Sequence, residues 1–164
     1  MASTHNKQDS DNLISHYTLN ELLVEQPVSV IYRAQDKKNG DAVFLLTLQP
    51  DAVKSNDLTE RFLRRAETLS QLKHASLLPI LDYGQDGKRP YAIMPYRSGQ
   101  FLAAKLAESP KPSEDKAEII ANLNLTKQIA AGLSVAHPNG LIHHDLRPEN
   151  IYLDDAGQPY LLDL

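Results

Sequence analysis

Residues 141–164 read LIHHDLRPENIYLDDAGQPYLLDL. Within this stretch Asp145 is followed five residues later by Asn150, and Asp163 stands thirteen beyond that, with Arg147 and the pair His143 and His144 alongside. Residue types of this kind make either a functional loop or an ordinary acidic one. The order of elements upstream decides between them.

Immediately before it, the segment from about Glu114 to His137 carries Ile120, Leu123, Ile129, Leu133 and Ala136 at helical intervals, so a long helix burying those five side chains is expected. Ser113 can cap it, Glu114 and Asp115 suit its positive end, and the PNG at 138–140 stops it. GQFLAAKLAE at 99–108 reads as a shorter helix, separated from the long one by a break between Pro110 and Ser113.

Toward the N-terminus the period shortens. YTLNELLV (17–24), VSVIYRAQ (28–35) and AVFLLTL (42–48) read as three antiparallel strands, with Asn39-Gly40 a strong turn signal because both residues tolerate positive φ. In residues 57–74, Leu58, Phe62, Ala66, Leu69 and Leu72 recur every three or four positions, the pattern of an amphipathic helix. LLPILDYG (77–84) and RPYAIMPY (89–96), around a tight turn at Asp86-Gly87, predict two more strands. Residues 1–12, MASTHNKQDSDN, are polar and aperiodic and read as a flexible tail.

Composition narrows the class. Of the 164 residues 41% are apolar and 23% charged, values typical of soluble globular domains. Seventeen basic against 21 acidic residues give a net charge of −4, and the basic residues are scattered, so a small molecule or a protein is expected as partner rather than a nucleic acid. Cysteine is absent, which excludes disulfides and thiolate chemistry and suits a reducing compartment. No apolar run approaches the ~20 residues of a membrane span, and the start lacks a secretory signal, so a cytoplasmic location is expected.

HHDLRPENIYL resembles the catalytic loop of the eukaryotic-like protein kinases, usually H-R-D-L-K-P-E-N, and LLDL resembles the segment that normally carries D-F-G. IYRA at 31–34, residues 61–84 and PYAIMPY at 90–96 are similar to bacterial Ser/Thr kinases in particular. The resemblance implies an α+β kinase-like fold: a five-stranded antiparallel small lobe with one helix over 13–96, then the first helices and catalytic loop of a large lobe over 97–164, truncated at Leu164 in the D-F-G position. It also implies roles. Asp145 would accept the substrate hydroxyl's proton, Arg147 would stand for the usual Lys near the transferred phosphate, and Asn150 and Asp163 would hold magnesium. Met94 falls at the back of the nucleotide pocket, and Pro95 to Arg97, with Tyr96 among them, at the hinge. His143 has a structural counterpart in the family, and no transition-metal site is expected at these adjacent histidines. His144 replaces an Arg that commonly receives a phosphorylated loop, so that mode of regulation is not expected.

The nucleotide positions depart from the pattern. Val24, Gln26 and Ser29 occupy all three positions of the glycine-rich loop, and Pro27 removes an amide from the same turn. Phe44 stands where a small Ala forms the adenine roof, and Leu46 where a Lys reaches the phosphates; the run around them reads as a strand packed on both faces. The Glu that pairs with that Lys is replaced by Arg65, so both partners of the ion pair are gone.

Two principal readings follow. The first is a pseudokinase fragment with impaired ATP binding and no cofactor, acting through a protein partner. The alternative is a Ser/Thr kinase that uses ATP and magnesium through Asp145, Asn150 and Asp163, with Lys54 or Arg33 replacing the lost cation and missing sequence or another chain completing the large lobe. A nonfunctional fragment is a third possibility. In each case a large-lobe helix is expected to expose part of its apolar face.

Overall fold

The computed structural model describes residues 12–108 and 115–163. The expected tail therefore lies outside the described residues except for Asn12, as do Ser113, Glu114 and Leu164. The chain forms two compact units: one reaches Glu67 and includes Ile80–Tyr96, the other comprises Thr68–Pro79 and the residues from Arg97 onward.

The first unit is built on a six-stranded antiparallel sheet. Strands β1 (Leu13–Ile14), β2 (Tyr17–Glu25), β3 (Ser29–Asp36), β4 (Ala42–Leu48), β5 (Asp82–Asp86) and β6 (Arg89–Pro95) lie in the order β1-β2-β3-β4-β6-β5. The two-residue β1 was not foreseen, being too short to carry a period. Every residue of β4 after Ala42 is buried. Val43 and Leu45 join a core with Ile14, Tyr17, Leu19, Ala34, Tyr91 and Ile93, while Phe44, Leu46 and Leu48 are buried on the opposite face. The strand is thus packed on both sides, as its unbroken apolar run implies. Helix α1 (Asn56–Ser70) follows, burying Thr59, Phe62 and Ala66.

One local expectation is corrected, and the turn expected at Asn39-Gly40 is present. The run from Leu77 to Leu81 is not strand: Pro79 has no amide to give a ladder, and β5 begins only at Asp82 after the Leu81 amide bonds the Ile93 carbonyl at 2.8 Å. The turn at residues 37–41 takes positive φ at Gly40 (80°) alone; Asn39 instead bonds Asp41 through its side chain, and the Gly40 amide returns to the Asp36 carbonyl.

The second unit contains β7 (Gly99–Phe101), helix α2 (Leu102–Glu108), helix α3 (Lys116–Ala136), β8 (Ile151–Asp154) and β9 (Pro159–Leu161), the three strands ordered β7-β8-β9. The short helix starts later than its sequence suggests, because residues 99–101 pair with β8. Asp115 is the observed N-cap of α3, accepting the Ala117 amide at 3.0 Å. The core gathers Leu77, Ile129, Ala136, Leu141, Ile151, Leu153 and Leu161, with Leu125 and Leu133 packed against it. Of the five helix residues expected inside, Ile120 and Leu123 are exposed, at 48% and 65%. The core side chains of β8, β9 and Leu77 meet the C-terminal half of α3, and among the described residues nothing buries its first turns.

Candidate functional site

Each unit holds one set of the site residues. In the second, Pro148–Asn150 forms a single 3-10 turn with Pro at its start, and β8 and β9 run on from it. The pairing Ile151↔Leu161 sets Asn150 beside Leu162, whose amide bonds the Asn150 carbonyl at 3.0 Å. Asp163 follows directly, so the hairpin brings the DLRPEN turn and the closing Asp to one end.

Within that end Asn150 is completely buried. Its Nδ2 donates to the Asp145 carbonyl at 2.8 Å and to Asp145 Oδ2 at 3.2 Å. The same carboxylate oxygen lies 3.2 Å from Arg147 Nε, which also approaches Glu149 at 3.9 Å. Both members of the Arg147–Asp145 pair are half exposed, which limits its contribution to under about 1 kcal/mol, and its effect is to orient Asp145. Glu149 was not singled out from sequence; the E of P-E-N is legible only as part of the motif. His144 and Asp163 take positive φ, 56° and 57°, conformations that persist in non-glycine residues only where surrounding contacts impose them. His143 is buried.

This arrangement offers a carboxylate that can accept a hydroxyl proton, beside a fixed cation. Magnesium prefers oxygen ligands and keeps water or phosphate among them. Asn150, whose Nδ2 is committed to Asp145, and Asp163 could contribute an amide and a carboxylate oxygen. Among the described residues no cluster of three His, Asp or Glu is arranged to hold a metal.

The first unit holds the positions that the family uses for the nucleotide. Gln26 and Ser29 are buried, and the Gln26 amide, at the second glycine position, donates to the Ser29 carbonyl at 2.9 Å to close the hairpin. Val24 is partly buried and pairs with Ile31. Gln49, which no sequence pattern marked, holds this turn from β4: its Nε2 donates to the Gln26 carbonyl at 3.0 Å and to Glu25 at 3.1 Å. Phe44 is fully buried, with its ring 5.0 Å from that of Tyr96, and Arg33 lies 4.8 Å over Tyr96. Met94 is buried and sits opposite Phe44 across the ladder. Leu46 is buried between Ile31 and Ala92. Arg65 is partly buried on α1. Of the substitute cations considered, Lys54 is held by Asp51 at 2.6 Å, and Arg33 is drawn to Tyr96 and, at 3.9 Å, Glu21. A buried phenylalanine occupies the strand position where the family keeps alanine.

This fold and the DLRPEN turn are those of the protein kinases, and the chain belongs to that family: the protein kinase domain model matches residues 17–164. It is 34% identical over 155 residues to the DNA damage-responsive serine/threonine-protein kinase RqkA of Deinococcus radiodurans, covering 92% of this chain and 22% of that protein. It is 28% identical over 163 residues to the serine/threonine-protein kinase PknL of Mycobacterium tuberculosis, covering 99% and 39%. Among solved structures, the PknI kinase domain of Mycobacterium tuberculosis superposes with a TM-score of 0.74 at 24% identity, over 91% of this chain and 58% of that one, a likeness of fold. The chain spans between about a fifth and two fifths of the length of these curated relatives. No helix among the described residues is long and apolar enough to cross a membrane.

Proposed function

We propose that this chain is a kinase-like module that does not take up ATP and works, in the cytoplasm, by binding a protein partner. The observation that carries the reading is Phe44, fully buried with its ring tilted against that of Tyr96, where a nucleotide-binding relative needs an open roof. Two others support it. The Gln26 amide closes its own turn and so is not presented to a phosphate, and Leu46 puts a buried aliphatic chain in place of the cation. Loss of Leu46's expected Lys together with its Glu partner, now Arg65, avoids leaving one charge unpaired.

The test is a thermal melt of the chain with and without millimolar ATP and magnesium, since a ligand that binds only the folded state raises the transition. An unchanged midpoint is expected. A rise that depends on ligand concentration and shrinks in Asp163→Ala would overturn the reading.

The bonds from Asn150 to Asp145 favour a second reading, a Ser/Thr kinase with an atypical nucleotide pocket. It requires magnesium-dependent phosphate transfer that disappears in Asp145→Asn. Transfer unaffected by that change would reject it.

A further inference from the structure

Two Asn-Gly pairs lie on the surface, Asn39-Gly40 between β3 and β4 and Asn139-Gly140 after α3. Such a pair carries a chemistry of its own: the glycine nitrogen can attack the asparagine Cγ, because the glycine has no side chain to stand in the way. Both asparagines are exposed, and both glycines take positive φ, 80° and 76°. Nothing lies within 4 Å of where a Cβ would stand on either glycine. Each glycine amide is engaged to a similar degree, Gly40 with the Asp36 carbonyl at 2.8 Å and Gly140 with that of His137 at 3.0 Å. Access of water therefore does not separate the two pairs.

The direction of the asparagine side chain does. Asn39 reaches forward: its Oδ1 accepts the Asp41 amide at 2.9 Å, and its Nδ2 donates to Asp41 Oδ2 at 2.8 Å. Both ends of its side-chain amide are thus tied to the residue beyond Gly40, an Asx turn that lays Cγ across the Gly40 peptide. Asn139 reaches backward. It ends a 3-10 turn, and its Nδ2 donates to the Val135 carbonyl at 2.9 Å, which draws Cγ away from the Gly140 nitrogen.

We propose that Asn39 is a site of spontaneous deamidation, and that the fold protects Asn139. When hydroxide takes the proton of the Gly40 amide, the nitrogen bonds to Asn39 Cγ, and negative charge develops on Oδ1, where the Asp41 N–H already points. The Cγ–Nδ2 bond then breaks, Nδ2 leaves as ammonia with a proton from water, hydroxide is regenerated, and a cyclic imide remains. Water opens the imide at either carbonyl, giving aspartate or isoaspartate, so water is the only co-reactant. The product is a carboxylate where Asp41 Oδ2 had a donor, in a turn that already holds Asp36 and Asp41. Like charges then face each other, and the β3–β4 connection loosens. The turn therefore carries a slow, one-way change of charge that depends on the age of the chain.

The experiment is incubation of the full chain at mildly alkaline pH, once folded and once in concentrated urea, with amide-to-acid conversion at each asparagine followed by peptide mass spectrometry. In urea the two Asn-Gly pairs should convert at similar rates. In the folded chain Asn39 should convert about tenfold faster than Asn139, because only there are the reacting groups held together. A ratio in the folded chain equal to that in urea, or Asn139 converting first, would overturn the proposal.

Discussion

Asn150 and Asp145 are joined twice: one amide nitrogen, fully buried, donates to both the carbonyl and the carboxylate of Asp145, at 2.8 and 3.2 Å. The link fixes the five-residue loop against the hairpin whether or not anything is bound there. It is the part of the site that would position a proton acceptor, and it also carries structural weight.

Asn150→Ala should therefore lower stability in the absence of any ligand. It removes both hydrogen bonds and leaves a cavity where a buried amide stood, a loss of about 2 kcal/mol. Urea unfolding of the two proteins measures it. A midpoint shift within error would mean that the loop is held by other contacts.

Tyr17 gives a pH-dependent prediction. Burial, then its hydrogen bond to Asp82, then the charges of Asp82 and Asp36 hold its phenol well above the ordinary value of 10.0. Tyr160 is raised in the same direction by burial and its bond to Asp154. Below pH 10 both phenols are protonated in the folded and unfolded chain, so their contribution is fully present. Above it the unfolded chain releases protons that the folded chain retains, and stability falls as pH rises toward the folded values. Tyr17→Phe should cost about 1 kcal/mol at neutral pH through the lost hydrogen bond. It should also flatten the decline above pH 10, measured by urea midpoints. Parallel declines in the two proteins would contradict the assignment.

Gly99 is a position where a side chain has no room. A Cβ there would collide with the Leu153 carbonyl and the Asp154 Cα on the neighbouring strand, both of them backbone. Neither can swing aside as a flexible side chain would. Gly99→Ala should lose about 3 kcal/mol, the upper range for overpacking, and should disturb the β7–β8 pairing most. Hydrogen exchange at the β7 and β8 amides checks this, faster exchange confined to that strand pair being the expected result.

Much of the architecture was legible because the signals are local. The apolar run at 42–48 marks the strand buried on both faces, whereas the strands at 151–154 and 159–161 that bring Asp163 to Asn150 were not foreseen, being too short to carry a period. What was not legible depends on neighbours distant in sequence. Gln49 holds the Gln26 turn only because β4 ends beside it, and Asp36 and Asp41 share a cavity only because Leu81 and Pro95 close its other side. The turn chemistry was half read: Gly40 takes the positive φ that the Asn-Gly pair announces, but Asn39 contributes its side chain instead. Periodicity likewise gave α3 an apolar stripe without saying where along the helix its neighbours begin.

That last point can be tested on one helix. Ile129 is buried in the core of the second unit, whereas Leu123, less than two turns earlier, is 65% exposed. Ile129→Ala should destabilise by about 3 kcal/mol, the transfer and cavity terms together. Leu123→Ala should stay within about 0.5 kcal/mol, because Ala keeps helix propensity and little packing is removed. Denaturant midpoints of the two variants measured side by side decide the matter. If Leu123→Ala costs as much as Ile129→Ala, the first turns of α3 are covered in solution, and size-exclusion chromatography of the same two variants would show whether a second copy provides the cover.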